Sequence, residues 1–558
     1  MGARPEMKTE IGVLAAGDPY PASQQPDRSV LARPRFIQTV VAAMGLFAGA
    51  AEAQGAVPVA GRSTDLAVHA HTSWATGPVD HDPASPARTL SGERVTRIIT
   101  IPSTTPGQPP NKIEVAPMFS PEVFSGFFPP QWDAHRNTLL EDQYFAPSPT
   151  TQHLLPSLNG FRQRLGNYGV GFQMSYKAEA LGVASGGKER GMEYIHEVNF
   201  RVDLDLKKML GLDGWSVHGL ILERAGRSVG KQKLGDYYIN YGEIYGLSGN
   251  SVAHLGFLYA EKRFLNNRVD IIFGRMPLST DFATSPLICT FMLLCSAPVA
   301  LKLDAGLSVY PKASWGARIR MRPTRDTVLQ FGAYQVRPTA SDISGWAWAG
   351  EETTGAAFPV EFTWQPFFGS KKLVGHYKVG YMHDTSIYAD NIGKLSPALA
   401  KANGVFARTS QRDSVWVLFD QMIYRSGGVT QMDGAYVLAG YVHNTPRNSI
   451  YSDEAWAGAS FAGLIPGRNH DRLGVLYNYY RVSPRLEAGQ RIREDAGFSL
   501  GATVAGPQKT TSVIEVNYGI DAMHGLLVQP EFEYVFRPGG TSRIPNAAVL
   551  GVKVIGIL

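Results

Sequence analysis

The sequence predicts an all-β fold, a transmembrane antiparallel barrel of about 16 strands, and three observations carry that expectation. Apolar and polar residues alternate with period two over many segments, and the polar positions carry full charges. Large aromatics recur on the apolar side. The chain, 558 residues long, has a mean hydropathy of −0.12 and, beyond its first fifty residues, no apolar run long enough for a membrane helix. Alternating strands hide their apolar half from any hydropathy window, so a barrel passes this test.

Residues 1–53 read as an N-terminal extension and signal peptide. In RPRFIQTVVAAMGLFAGAAEA, Arg33 and Arg35 precede an apolar core from Phe36 to Ala50. Ala51-Glu52-Ala53 then gives the small-x-small cleavage pattern, with Gln54 as the first mature residue. Residues 54–153 are rich in Pro, Ser and Thr. Stretches such as IPSTTPGQPPNK bury too little apolar surface to offset their ordering entropy, so this segment is expected to be largely disordered.

The barrel is expected over 154–558. In His196–Leu206, Val198, Phe200, Val202, Leu204 and Leu206 alternate with Glu197, Asn199, Arg201, Asp203 and Asp205. Strand side chains have period two, so such a segment has one greasy face and one ionic face; a helix would mix them. The same grammar sets Phe172, Met174 and Tyr176 against Gln173, Ser175, Lys177 and Glu179. It sets Trp315, Ala317, Ile319 and Met321 against Ser314, Arg318, Arg320 and Arg322. Val360, Phe362 and Trp364 oppose Glu361, Thr363 and Gln365. Near the end, Ile514, Val516 and Tyr518 oppose Glu515 and Asn517, and Val528, Phe532 and Tyr534 oppose Gln529, Glu531 and Glu533. Further strands are expected near 215–226, 251–260, 268–274, 326–337, 373–384, 413–425, 434–445, 455–463, 471–481 and 547–558.

A soluble sandwich also alternates. Full charges suit a wet lumen better than a dry core, and Tyr176, Trp315, Trp364, Tyr381, Tyr518 and Tyr534 suit interfacial girdles. By parity the lumen-facing set is Lys177, Glu179, Glu197, Arg201, Asp203, Arg318, Arg320, Arg322, Glu361, Lys378, Glu515, Gln529, Glu531 and Glu533. The expectation concerns the set, because cross-strand pairing is the ordinary fate of any one of these charges. His196, His218, His376 and His383 read as polar wall residues rather than ligands.

A net charge of +5 over this length is weak, and no dense Lys/Arg block of the kind a nucleic-acid binder carries appears, so no nucleic-acid partner is expected. Nucleophile-elbow, P-loop, HExxH and dinucleotide fingerprints do not occur in credible contexts, so neither an enzyme nor a cofactor is expected. The two cysteines, Cys289 and Cys295, lie six positions apart; they are either unpaired thiols or, in an exported chain, a short loop disulfide. A zinc site would need two more ligands nearby. No metal is expected.

Several blocks between Leu154 and Leu558 together resemble the carbohydrate-selective porins, the OprB-like family. They are GFRQRLGNYGVGFQMSYKAEALG at 160–182, GRMPLSTDFATSPLICTFMLLCSAP at 274–298 and SWGARIRMRPTRD at 314–326. GLIPGRNHDRLGVLYNY at 463–479, VIEVNYGI at 513–520 and LLVQPEFEYVFRPGG at 526–540 follow in order. The resemblance implies a 16-stranded barrel with short periplasmic turns, longer outer loops and an inward-folded constriction loop. It implies passive uptake of glucose-like sugars across a Gram-negative outer membrane, among lipid and lipopolysaccharide. Pro277–Lys302 occupies the constriction-loop position, and its apolar run Ile288–Leu294 would be a liability in water but has contacts inside a barrel. The row Arg318, Arg320, Arg322 leaves an anion or oligosaccharide channel as an alternative. A secreted, soluble polysaccharide-binding β-protein and an envelope anchor acting through 54–150 are alternatives of other classes.

Overall fold

A computed structural model describes residues 97–101, 111–115 and, apart from brief internal gaps, 154–558. The expected signal peptide lies outside the described residues, as does most of 54–153. Within the latter, Arg97–Ile101 pairs antiparallel with Asn111–Val115, two segments whose isoleucines and valine favour extended backbone.

From Val170 onward the chain builds one closed, antiparallel ring. In chain order its strands are β1 Val170–Ser185, β2 Gly191–Asp205, β3 Trp215–Gly226 and β4 Ser251–Phe264. Then come β5 Val269–Met276, β6 Ser314–Met321, β7 Thr327–Val336 and β8 Gly355–Trp364. The second half has β9 Leu373–Tyr388, β10 Ser410–Arg425, β11 Gly434–Asn444 and β12 Tyr451–Ala462. It finishes with β13 Arg472–Val482, β14 Thr510–Met523, β15 Leu526–Phe536 and β16 Ala547–Ile557. The two-residue piece Phe367–Phe368 also joins the ring beside β9, but β8 pairs directly with β9, so the barrel has sixteen strands among the described residues. Strand lengths run from 8 to 16 residues, a wider spread than the 9–11 that simple spanning requires.

β16 closes on β1, with Lys553 opposite Glu179 and Ile555 opposite Lys177. The Leu154 N–H donates to Ile557 O at 2.7 Å and the Leu558 N–H to Met174 O at 2.9 Å, fastening the lead-in to the ring and the ring's last strand at the seam. Both therefore lie with the connections 206–214, 265–268, 322–326 and 524–525. The opposite rim carries 227–250, 277–313, 389–409 and 483–509, which are longer.

Burial follows parity around the ring, with the sign opposite to that of a soluble protein. Lys177 keeps 1% of its surface and its neighbour Tyr176 keeps 41%; Glu361 keeps 0% and Phe362 keeps 42%. Such an inversion is stable only if the outer solvent is apolar. Polar groups that do face outward come paired. The Tyr381 hydroxyl donates to Asp413 at 2.6 Å beside His383, and the Tyr441 hydroxyl donates to Asp453 at 2.6 Å beside His443. His196 also faces outward, 3.3 Å from Glu223.

On the long-loop rim a helix, Pro484–Asp495, starts where Ser483 caps the N–H groups of Arg485 and Leu486 and proline occupies the first turn. Arg485 grips Asp390 of the neighbouring loop with two bonds of 2.7 and 2.6 Å. Burial alone would raise the Asp390 carboxyl, but Arg485 and the Ile392 and Arg408 N–H groups outweigh it and hold it below the ordinary carboxylate range.

Two outcomes follow. Val417 faces outward near the middle of β10 and keeps 51% of its surface. Val417→Arg should cost about 2–4 kcal/mol in urea titrations of vesicle-refolded protein, whereas Val417→Thr should cost much less. Because Asp390 is depressed, its contribution to the rim latch is fully present above the ordinary carboxylate pKa and is lost as pH falls through the lower, folded value. Hydrogen-exchange protection of the Pro484–Asp495 amides, corrected for the intrinsic pH dependence of exchange, should therefore stay flat from neutral pH down to about 4, while Arg485→Met should lower it at neutral pH.

Candidate functional site: the lumen wall and its inserted segment

Parity alone places side chains inside the ring; the contacts show what they do there. Lys177, Glu179, Glu197, Arg201, Arg318, Arg320, Arg322, Glu361, Glu515, Gln529, Glu531 and Glu533 all lie on the inner face with at most 7% of their surface accessible. Asp203 and Lys378 share that face and keep 14% and 9% of their side-chain surface. These charges cannot be left bare at such burial, since an unpaired ion there costs several kcal/mol. They fall into four groups.

The first is the arginine row on β6. Arg318 pairs with Asp270 and lies 3.3 Å from Asp281; Arg320 reaches Asp281 at 3.1 Å and Arg322 reaches Asp270 at 2.8 Å. Gln330 ties the row to β8, accepting from Arg320 Nε at 3.0 Å and donating to Glu361 at 2.9 Å. Glu361 also accepts from Trp416 Nε1 at 2.8 Å and sits 3.4 Å from Lys378. Four cations (Arg318, Arg320, Arg322, Lys378) thus meet three carboxylates (Asp270, Asp281, Glu361), and the belt is close to balanced.

A second group runs along β2 to β4. Arg224 donates to Glu197 at 2.5 Å, Arg201 lies 3.0 Å from Asp203, and His218 bridges Asp203 at 2.9 Å to Glu261 at 3.3 Å. The third straddles the seam. Glu243, from connection 227–250, binds Lys177 and also Lys553 at 2.9 Å. Glu179 accepts from the Glu243 and Ile244 N–H groups at 2.9 and 3.3 Å. The fourth group is acidic. Glu515, Glu531 and Glu533 offer carboxylate oxygens that all lie within 4.8 Å of one another.

Connection 277–313 passes across this wall and is held mainly by its backbone. The Ala283 N–H donates to Glu361 at 2.8 Å; the Met292 and Leu293 N–H groups donate to Glu515 at 2.9 and 3.2 Å; the Ala300 N–H donates to Glu454 at 2.7 Å. Asn517 donates to Thr290 O and Asn444 to Ala300 O, each at 3.0 Å. The Tyr310 hydroxyl donates to Glu197 at 3.1 Å on the opposite side of the ring. Ile288, Phe291, Met292, Leu293 and Leu294 keep at most 2% of their surface, so the apolar run is inside the barrel. Cys289 and Cys295 are joined by a disulfide within it.

Two buried wall tryptophans, Trp416 and Trp456, lean against glycines of the neighbouring strand. A Cβ at Gly380 would fall 2.1 Å from the Trp416 ring, and one at Gly440 equally close to Trp456. Only glycine on the neighbouring strand allows either ring that approach.

The sequence pattern predicts a lumen open to water along its inner face, whereas most wall groups are covered by 277–313 and by Glu243 with its neighbours. The inserted segment and the charged wall satisfy one another, which alternation cannot reveal. Asp270 and Lys553 were reachable by the same parity rule, being single charges on inward positions of apolar strands. Asp281, Glu243 and Tyr310 sit in connections without periodicity and gave no such signal.

The model of the carbohydrate-selective porin, OprB family, matches residues 189–556. Porin B of Pseudomonas aeruginosa is 25% identical over 424 residues, 73% of this chain and 91% of that protein. The putative porin QuiX of Acinetobacter baylyi is 24% identical over 419 residues, 72% of this chain and 92% of that protein. The structure of Pseudomonas putida OprB at high pH superposes with a TM-score of 0.67 at 22% identity, covering 73% of this chain and 99% of that one, and shows the same fold.

Cleaving the cross-link frees the apolar turn while leaving its backbone anchors in place. Cys289→Ser with Cys295→Ser should leave the barrel folded by heat-modifiable gel migration but raise the noise and mean level of single-channel current. An unchanged record would show that the anchors alone fix the segment.

Proposed function

The chain belongs to the OprB family of carbohydrate-selective porins, and from that membership we propose that it carries glucose-sized neutral sugars passively across a Gram-negative outer membrane. The observation that supports this reading is the near-balanced belt of arginines and carboxylates on an inward face, inside a ring whose outward face is apolar. A neutral polyol crossing a narrow lumen must exchange its hydration for fixed donors and acceptors, held tightly enough to admit it and loosely enough to release it. Of the wall groups, Arg201, Asp203 and Lys378, which keep accessible side-chain surface, supply both kinds of group. A belt without a large excess of one sign does not concentrate a small ion.

Within the wall, two tasks separate. Glu361, Glu515, Glu454 and Asn517 are engaged with the backbone of 277–313 and act as its anchors, making that segment the constriction. Arg201, Asp203 and Lys378 retain accessible surface and lie towards the rim of short turns, so they are the groups a sugar leaving the constriction meets. That rim, with both ends of the ring, faces the periplasm, and the long connections face outward among lipopolysaccharide. Export would be directed by the leader ending at Ala53.

The row Arg318, Arg320, Arg322 favours a second reading, an anion channel, in so far as its charge is free. Its pairing with Asp270 and Asp281 argues against that freedom.

Proteoliposomes should swell in isotonic glucose several-fold faster than control vesicles, and a salt gradient should give only weak ion selectivity. A strongly anion-selective reversal potential with no glucose swelling would replace the sugar reading by the second one. Asp203→Asn with Arg201→Gln should slow glucose entry without changing urea stability appreciably. Glu361→Gln should instead loosen the anchored segment and broaden the distribution of channel conductances.

A further inference from the structure

We infer that Glu515, Glu531 and Glu533 form a site for a hard divalent cation of the calcium class, on the inner wall beside the middle of the inserted segment. This inference concerns the fixed wall and does not depend on which solute the lumen passes.

Glu515 and Glu533 are directly opposed across β14 and β15, and Glu531 is the next inward position of β15. Like charges placed directly opposite each other destabilise a sheet. All three side chains are buried, with accessible surfaces of 0%, 4% and 0% for Glu515, Glu531 and Glu533. Glu515 is well satisfied, by the Met292 and Leu293 N–H groups and by Asn517 Nδ2 at 2.9 Å. Glu531 takes one bond, from Gln529 Nε2 at 3.2 Å, and its other oxygen has none.

Glu533 supplies the separate observation. It is fully buried, it projects into the Glu515–Glu531 pair, and neither of its oxygens meets a donor among the described residues. A carboxylate in that position lacks a counter-charge. The neighbouring ammonium, Lys553 on β16, is directed to Glu243. Across the seam and the acidic group, five carboxylates (Glu179, Glu243, Glu515, Glu531, Glu533) face two lysines (Lys177, Lys553), an excess of three negative charges.

Ligand chemistry narrows the occupant. Three carboxylate oxygens within 4.8 Å of one another can surround a centre at about 2.4 Å, the oxygen distance of Ca²⁺. Mg²⁺ demands a tighter octahedron and keeps much of its water, and zinc prefers nitrogen or sulfur donors, of which the cluster has none. A cation here would cancel the repulsion between β14 and β15. Through Glu515 it would also stiffen the grip on Met292 and Leu293.

The test uses the full mature protein in detergent, dialysed against EDTA. Calorimetric titration with CaCl2 should give a saturable site, and the thermal midpoint should rise with added Ca²⁺ more than with equal Mg²⁺. Glu533→Gln removes no hydrogen bond, so the barrel should fold, as checked by heat-modifiable migration. Its Ca²⁺ affinity should fall by about tenfold or more, and its thermal midpoint without metal should equal or exceed that of the parent. Glu531→Gln serves as a second variant with the same expectation for affinity. The inference is overturned if the parent shows no saturable Ca²⁺ binding up to millimolar concentration. It is equally overturned if both variants bind as the parent does, or if the parent's midpoint ignores Ca²⁺, which would assign a shared proton to the cluster.

Discussion

A backbone crossing hydrocarbon has no water to satisfy its N–H and C=O groups, and a sheet can meet that demand only by closing on itself. Here closure is made by β16 against β1, and Leu154 and Leu558 are tied in at the same seam. Once the ring is closed, the pleat decides everything else about the side chains. Each residue faces lipid or lumen, with no third choice, and shifting a strand by one residue would exchange the two sets. Closure is thus the constraint from which the girdle, the charged wall and the inserted segment all descend.

The interior then has a problem of its own. A ring of this size encloses more polar wall than its own cross-strand pairs satisfy. The molecule solves this with chain drawn from its long connections. Wall carboxylates accept from main-chain N–H groups of 277–313 at Ala283, Met292, Leu293 and Ala300, and wall amides donate to its carbonyls. A non-helical, non-strand segment needs partners for its backbone just as much as the wall needs partners for its ions. Each supplies what the other lacks. The arginine row shows the same economy with Asp281, contributed by the inserted segment rather than by a strand.

How much of this was legible in the sequence depends on whether the relevant residue sat in a periodic segment. Lys177, Glu197, Arg318, Glu361 and Glu533 announced their side by the character of their neighbours, and the ring with its sixteen strands followed from the repetition of that pattern. The partners were harder. Asp270 obeyed parity but stood alone among apolar residues. Glu243 and Asp281 come from connections, where spacing carries no direction and only the closed ring brings them to the wall. Gly380 and Gly440 carry no side chain for parity to place, yet each is a seat for an indole ring from the next strand. Pairwise satisfaction across long sequence separations is a property of the folded ring and leaves no local trace.

Because the wall grips the inserted chain largely by its peptide groups, the side chains of that chain are left out of the contract at most anchor points. Met292, Leu293 and Ala300 hold on by an N–H that any residue but proline supplies, so a swap of similar volume keeps both the anchor and the packing. The barrel therefore behaves like a frame with an interchangeable cartridge. A change of aperture or chemistry is confined to one short stretch of chain, while the frame that inserts into the membrane stays as it was.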